Sequence, residues 1–510
     1  MSDEMLYNAA ADLLERNLNA GRGENTAFID SNGSYNYADV AQRANRVANM
    51  LASRSIEPEQ RVVLCMSDTI DLVAAFLGAI KAGIVPVPVN TRLTEKDYAY
   101  IVDDSRATGL ILSEDLLPAF TGCVEASRLK TVLISGTDAG KHELLSVAMS
   151  TAADTFETAP TRRDDMCFWL YTSGTTGMPK GAVHLQGSII ETVDLYATPT
   201  LGIDESDVVY SAAKLFFAYG LGNGLSFPMA AGATTVLLEG MPTPDAVGGI
   251  LANYGVTLFF GVPTLYGMLL ASDSLPEEGH HKLRLCVSAG EALPGELLRR
   301  WKERTGADIL DGLGSTEMLH IFLTNHQGDI RANSSGKAVP GYALRLVDDD
   351  GARVDDGELG HLEVAGPTSA IMYWNQREKS RDTFKGQWTR TGDKYTIDGE
   401  GYYIYGGRSD DMMKVGGIYV SPFEVEGALL EHDAVQEAAV VAHPDQDDLI
   451  KPKAFIVTAA GHGGSEALAD ELQSFVREKL ADYKYPRWVE FRDELPKTAT
   501  GKIQRFKLRA

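Results

Sequence analysis

The chain has 510 residues, 44% hydrophobic and 23% charged, a balance that can bury a large core and excludes disorder over most of its length. At roughly 100–200 residues per domain it should hold about two to four domains. Lys and Arg total 47 against 71 Asp and Glu, a net charge of −24; this excludes a broad basic face for nucleic acid and confines anion binding to a local pocket.

The N-terminal part alternates strand-like and helix-like runs. Residues 61–67 read as a buried strand, 71–82 as a helix and 85–89 as the next strand. Met166–Thr172 is a short apolar strand entering a glycine-rich loop. Further strands are expected at 234–238, 257–260, 283–288 and 308–310, with helices from Thr264 and over 294–305. Such βα alternation predicts parallel, doubly wound sheets, whose ligands sit at the carboxyl ends of strands.

The texture changes after Pro340. Residues 342–405 carry short strands and turns at 348–351, 355–357 and 398–401, a small β-rich subdomain. A boundary falls near Gly406-Gly407-Arg408. Ser421-Pro422-Phe423-Glu424 then reads as a capping box opening a helix to about Glu431. Strands at 435–442 and 454–458, a helix at 466–480 and a polar tail complete an α+β domain. No internal repeat is found.

Cys65, Cys123, Cys167 and Cys286 show no CxxC, and the ten histidines, His280–His281 included, give no zinc spacing. Four buried or free thiols in a reducing compartment are expected. The acidic N-terminus has no apolar stretch of a signal peptide, and no apolar run is long enough to span a bilayer, so the expectation is a cytoplasmic protein without membrane association.

Five segments can carry chemistry. The first is Tyr171-Thr-Ser-Gly-Thr-Thr-Gly-Met-Pro-Lys180-Gly181. Its glycines let backbone N–H groups converge on an anion, its hydroxyls add donors, and its lysine adds charge. The spacing is not that of a Walker P-loop. The second is Asp311-Gly-Leu-Gly-Ser-Thr-Glu317, where Glu317 can hold a hard cation such as Mg²⁺. The third is Ser288-Ala-Gly-Glu-Ala-Leu-Pro294, whose glycine lets a flat purine lie against backbone. The fourth joins Thr391-Gly392-Asp393 to Gly407-Arg408-Ser409-Asp410-Asp411, a carboxylate and an arginine suited to a ribose diol. The fifth is the tail Pro496-Lys-Thr-Ala-Thr-Gly-Lys502-Ile-Gln-Arg505.

In this order and spacing the five segments resemble the acyl-adenylate-forming (AMP-binding) superfamily, over nearly the whole chain. The resemblance implies a fold of class α/β: a large N-terminal domain with doubly wound sheets at residues 1–407, the β-rich subdomain at about 340–407, a hinge at 408–411 and a small mobile α+β domain at 412–510. It implies two half-reactions: a carboxylate and ATP give acyl-AMP and pyrophosphate, then the CoA thiol displaces AMP. Ser173, Gly174, Thr175, Thr176 and Lys180 would hold the β/γ-phosphates. Thr316 and Glu317 would sit at the α-phosphate and Mg²⁺. Gly290, Glu291, Ala292 and Asp311 would line the adenine site, and Asp393 with Arg408 would hold the ribose. Lys502 would serve adenylation. Rotation about Asp410 would then withdraw it and bring Lys414, Gly416 and Gly417 to the CoA.

The segment Lys214–Gly220 has Phe217 where many family members carry histidine, and no Phe-Asp-x-Ser is present to grip an amino acid. The stretches 211–222 and 312–325 are similar to those of benzoate- and hydroxybenzoate-CoA ligases. That similarity implies a small aromatic acid, with Phe217, Ala218, Tyr219, Leu313 and His320 at the acyl pocket. The alternative is an adenylating enzyme that loads a different carboxylate onto CoA or a carrier protein; it shares every nucleotide motif. A non-catalytic regulator would have lost Lys502 or Glu317, and both are present. Ring substituents, and a homodimer as against a monomer, stay open.

Overall fold

The computed structural model describes residues 6–124, 128–172, 178–408, 411–415, 418–446, 449–497 and 503–509. Two large, mainly parallel sheets dominate the described part of the N-terminal domain. The longer has nine strands, ordered edge to edge Lys337–Ala338, Ile321–Thr324, Asp308–Gly314, Leu285–Ala289, Leu258–Gly261, Val208–Ser211, Thr234–Val236, Thr26–Asp30 and Gly33–Asn36. From Asp308–Gly314 through Thr26–Asp30 every neighbouring pair is parallel. The second, all parallel, has five: Val85–Pro88, Arg61–Cys65, Gly109–Ser113, Thr131–Ser135 and Glu143–Leu144. Strands covered on both faces read as continuous apolar runs, which is why 61–65 and 85–88 are legible without alternation.

Element ends shift where tertiary partners intervene. The helix expected from residue 71 starts at Ile70, because Asp30 Oδ2 accepts its amide at 2.9 Å. The strand expected at 308–310 runs on to Gly314, since Asp311 and Gly312 pair with Ser288 and Ala289 while Gly312–Gly314 also pair with Ile321–Thr324. The third motif does begin at a strand end: the strand carrying Ser288 closes at Ala289.

The β-rich subdomain holds Ala343–Val347, Gly360–Ala365, Trp388–Ile397 and Phe384–Lys385, with Tyr403–Arg408 also paired to Trp388–Ile397. Gly406-Gly407-Arg408 is therefore the end of a strand. The subdomain packs on the long sheet through Tyr342, Leu346, Leu362, Tyr395 and Tyr403.

The small C-terminal domain has its own core, built from residues such as Met413, Val425, Leu429, Val440, Ile456 and Leu472. Its helices are Pro422–Leu430 and Glu466–Lys479. The capping box is half formed: Ser421 Oγ accepts the Glu424 amide at 3.4 Å, whereas the Glu424 carboxylate turns to Lys484 Nζ at 2.5 Å. The expected polar tail contains a third strand, Trp488–Phe491, parallel to Ile450–Thr458. The two domains meet where Phe423, which lies 4.1 Å under the Arg505 guanidinium of its own domain, takes the Tyr405 ring at 4.8 Å.

All four cysteines are free and buried. Burial pushes Cys123 up to about 11 and Cys286 up to about 12, and raises Cys65 and Cys167 well above the ordinary thiol range. No helix among the described residues is long and apolar enough to cross a membrane.

Candidate active site

Lys180 opens a strand, Lys180–Leu185, that returns antiparallel to Met166–Thr172, with Thr172 opposite Lys180. Ser173, Gly174, Thr175 and Thr176 fall between these strands in sequence, outside the described residues. The segment Ile371–Trp374 runs along the other edge. Ile371 N donates to Val183 O at 3.0 Å, Val183 N to Met372 O at 3.0 Å and Trp374 N to Gly181 O at 2.7 Å, placing Tyr373 against Ala182. The Tyr373 hydroxyl donates to Glu317 Oε1 at 2.6 Å, and Lys180 Nζ lies 4.2 Å from its ring centroid. Burial lowers the Lys180 pKa; Glu317 opposes that, and Lys379 and Arg408 add to it. Behind this group the buried His184 donates from Nε2 to the Thr316 carbonyl at 2.8 Å and stacks on Phe168. Burial holds His184 down at about 4, against that carbonyl.

Asp311 and Ser288 face each other in register on adjacent parallel strands. Asp311 Oδ1 and Ser288 Oγ are both buried with no hydrogen-bond partner. Burial pushes the Asp311 carboxyl well above the usual range, opposed by Ser288 and the Gly312 amide. Gly290 follows with φ +91 and open space where a Cβ would stand; Ala292 is half-buried. Glu291 is occupied: Oε2 accepts from Thr264 Oγ1 at 2.8 Å, and Oε1 accepts the amide of Ile503, from the C-terminal domain, at 3.2 Å.

Asp393 and Arg408 are antiparallel partners, Nη1 to Oδ1 3.3 Å. Arg408 Nη1 also donates to Thr391 O at 3.3 Å. Beside them Gly392 has φ +81, a left-handed conformation that favours glycine, and a Cβ there would push on the guanidinium at 2.8 Å.

The aromatic end is built around His320, which is 3% exposed. Phe227, Tyr196 and Tyr219 surround it at ring-centroid distances of 4.5, 5.4 and 5.7 Å. His320 Nε2 donates to Asn223 Oδ1 at 3.1 Å, and Nδ1 is buried without a partner. Burial depresses its pKa to about 3, against the backbone of Tyr219. Tyr219 donates to Val287 O at 3.1 Å, and Leu313 packs on the same apolar cluster. Ala218 instead packs in the cluster of Leu215, Leu221 and Leu225, and Phe217 packs on Phe216 with centroids 4.6 Å apart. The structure thus brings Tyr219 and His320 together, with Leu313 in the same apolar cluster as Tyr219, and buries Ala218 in the neighbouring cluster.

Sequence reasoning missed Tyr373, Asn223 and Gly222. A Cβ on Gly222 would lie 2.3 Å from His320 Cδ2, and the surrounding rings leave the imidazole nowhere to go. Gly222→Ala is expected to lower unfolding free energy by about 1–3 kcal/mol, the usual cost of overpacking. Denaturant titration checks this; a variant as stable as wild type would mean the imidazole yields.

Lys414 lies on the strand Met413–Val415, paired with Ile418–Val420. Gly416, Gly417, Asp410 and Lys502 lie outside the described residues. Among the described residues no group of three or more His, Cys, Asp or Glu side chains could cage a metal. One carboxylate, Glu317, beside a phosphate-type lysine still suits Mg²⁺, which is commonly held by one or two carboxylates plus substrate phosphates.

Residues 14–374 match the family described as AMP-binding enzyme, and 424–502 match the AMP-binding enzyme C-terminal domain. A benzoate–CoA ligase of Thauera aromatica is 56% identical over 99% of this chain and 96% of its own. The crystal structure of a benzoate CoA ligase from Burkholderia xenovorans superposes with a TM-score of 0.94 at 49% identity, covering 99% of this chain and 100% of that one. That of an anthranilate CoA ligase in complex with anthranoyl-AMP gives 0.95 at 43% identity, covering 100% and 98%.

Proposed function

The chain belongs to the AMP-binding enzyme family, and on that premise we propose that it is an ATP-dependent aryl-CoA ligase acting on a small aromatic carboxylate of the benzoate or hydroxybenzoate type. The observation that carries this is full-length likeness to a benzoate–CoA ligase at 56% identity. The apolar, aromatic surroundings of His320 and Tyr219 suit a flat ring.

In the first half-reaction a carboxylate oxygen attacks the α-phosphorus of ATP, the α–β bond breaks, and pyrophosphate leaves. In the second the CoA thiol attacks the acyl carbon, loses its proton, and AMP leaves. Charge stabilisation dominates such chemistry. Lys180, with Ser173, Gly174, Thr175 and Thr176, holds the β/γ-phosphates. Thr316 and Glu317 lie at the α-phosphate, where Glu317 would hold Mg²⁺; the ion would supply Lewis-acid charge to the phosphate oxygens. Asp311, Gly290 and Ala292 border the adenine, and Asp393 with Arg408 takes the ribose hydroxyls. Glu291, already bonded to Thr264 and Ile503, acts at the adenine site chiefly by fixing its loop to the C-terminal domain. Tyr219, Leu313 and His320 border the ring, and the neutral imidazole adds polarity without charge. Lys502 serves adenylation only; rotation of the C-terminal domain about Asp410 exchanges it for Lys414, Gly416 and Gly417 at the CoA. The protein acts in the cytoplasm, where its free thiols stay reduced.

The test is a panel of benzoate, hydroxybenzoates, anthranilate and octanoate with ATP and Mg²⁺, with and without CoA, following nucleotide and phosphate products. AMP and pyrophosphate are expected, with benzoates preferred and thioester formed only with CoA. ADP and orthophosphate as products, or preference for octanoate, would overturn the reading.

A further inference from the structure

We propose that Tyr373 is a positioning residue for acyl-AMP formation: one side chain holds Glu317 by its hydroxyl and Lys180 by its ring face, and keeps the two apart. This rests on the site assignment just given. Lys180 and Glu317 carry opposite charges and sense one another electrostatically. Left alone they would tend to close on each other, and each charge would be spent on the other rather than on the ligand. Among the described residues Lys180 closes no ion pair; its ammonium stands 4.2 Å over the phenol ring, while the hydroxyl takes Glu317 Oε1 at 2.6 Å.

The phenol is fixed from every side. It is 3% exposed, and Phe384 packs on it with centroids 5.2 Å apart. Tyr373 N donates to Ser380 Oγ at 3.0 Å, and the bonds to Val183 and Gly181 hold its segment in place. The next residue, Trp374, is anchored by Nε1 on Asp104 O at 2.9 Å and by Trp169 at 4.6 Å between centroids. A phenol hydroxyl facing a carboxylate oxygen can only donate to it. A donor locked by packing can hold a carboxylate oxygen in one orientation without reorganising during the reaction.

Two variants separate the two contacts. Tyr373→Phe keeps the ring under Lys180 and removes the hydroxyl; Tyr373→Leu removes both. With benzoate and ATP, Tyr373→Phe is expected to slow single-turnover pyrophosphate release about 10- to 100-fold, the effect of losing a hydrogen bond to a charged group. Binding of Mn²⁺ to its ATP complex, read by EPR, should weaken in parallel. Tyr373→Leu should also raise the KM for ATP about 2- to 30-fold, as a desolvated cation–π contact is lost. Thioester formation from supplied benzoyl-AMP and CoA should stay within about twofold of wild type in both, since neither charge acts there. Wild-type adenylation and Mn²⁺ affinity in Tyr373→Phe would overturn the proposal, and so would an equal fall in both half-reactions, the mark of a merely structural role. Wild-type enzyme that releases no pyrophosphate with any aromatic acid would instead overturn the functional reading itself, before any variant is compared.

Discussion

Replacing Lys502 by alanine is expected to slow acyl-AMP formation by about 10³-fold and to leave thioester formation from supplied benzoyl-AMP within about twofold. A lysine ammonium about 4 Å from an anion, at an effective dielectric near 20, gains about 4 kcal/mol. At 1.36 kcal/mol per tenfold, that is about three decades of rate if the contact exists only in the transition state. Lys502 itself lies outside the described residues. Its successor Ile503 gives its amide to Glu291 at 3.2 Å, which brings this stretch of the C-terminal domain to the loop after Ser288. Single-turnover measurement of each half-reaction decides: an equal loss in both would mean that Lys502 does not act in one state alone.

Two buried histidines should each take stability away as pH drops from about 6.5 toward 4. His184 and His320 are held at about 4 and about 3, against about 6.5 in the unfolded chain. Their folded pKa values are depressed, so their contribution is complete above pH 6.5 and is lost as pH falls, because the unfolded chain binds protons that the folded one refuses. Between pH 7.5 and 4.5 each costs about 2–3 kcal/mol, together a large share of a typical 5–15 kcal/mol. Asp68, raised by burial to about 6, and Asp311, raised further, run the other way: their contributions are present below about pH 4 and fade as pH rises through their folded pKa values, so they offset the histidine loss. Denaturant titrations across this range should show a shallower slope for His184→Gln and His320→Gln than for wild type. Parallel curves would show that neither imidazole resists protonation in the folded state.

What could be read from residues alone was whatever neighbours in sequence decide. The strand leading into the phosphate motif, the carboxylate at Glu317 and the Asp393–Arg408 pairing all follow from local residue types and turns. Their convergence was legible only through resemblance, because periodicity says which face is buried and not what it meets. Tyr373 reaches Glu317 across 56 positions and His320 reaches Asn223 across 97; a lone tyrosine in Met372-Tyr373-Trp374 carries no mark of either partner. Trp488–Phe491 looked like tail because its four half-buried residues give no alternation. It is a strand because Ile450–Thr458 offers it an edge. Which apolar cluster Ala218 joins turns on helix phase, which a four-residue helix, Ala218–Leu221, is too short to announce.

The four buried thiols have a practical bearing. The proposed enzyme handles a thiol substrate, and disulfide exchange with it requires a native cysteine that is both ionised and reachable. All four are buried, and burial raises every thiol, Cys123 to about 11, Cys286 to about 12 and the other two well above the ordinary range, so at neutral pH they fail on both counts. The natural sequence is therefore already a silent background for labelling. Cysteines introduced singly on the two domains could carry a donor and an acceptor dye, and the distance between them could be followed through a turnover with every native cysteine left in place.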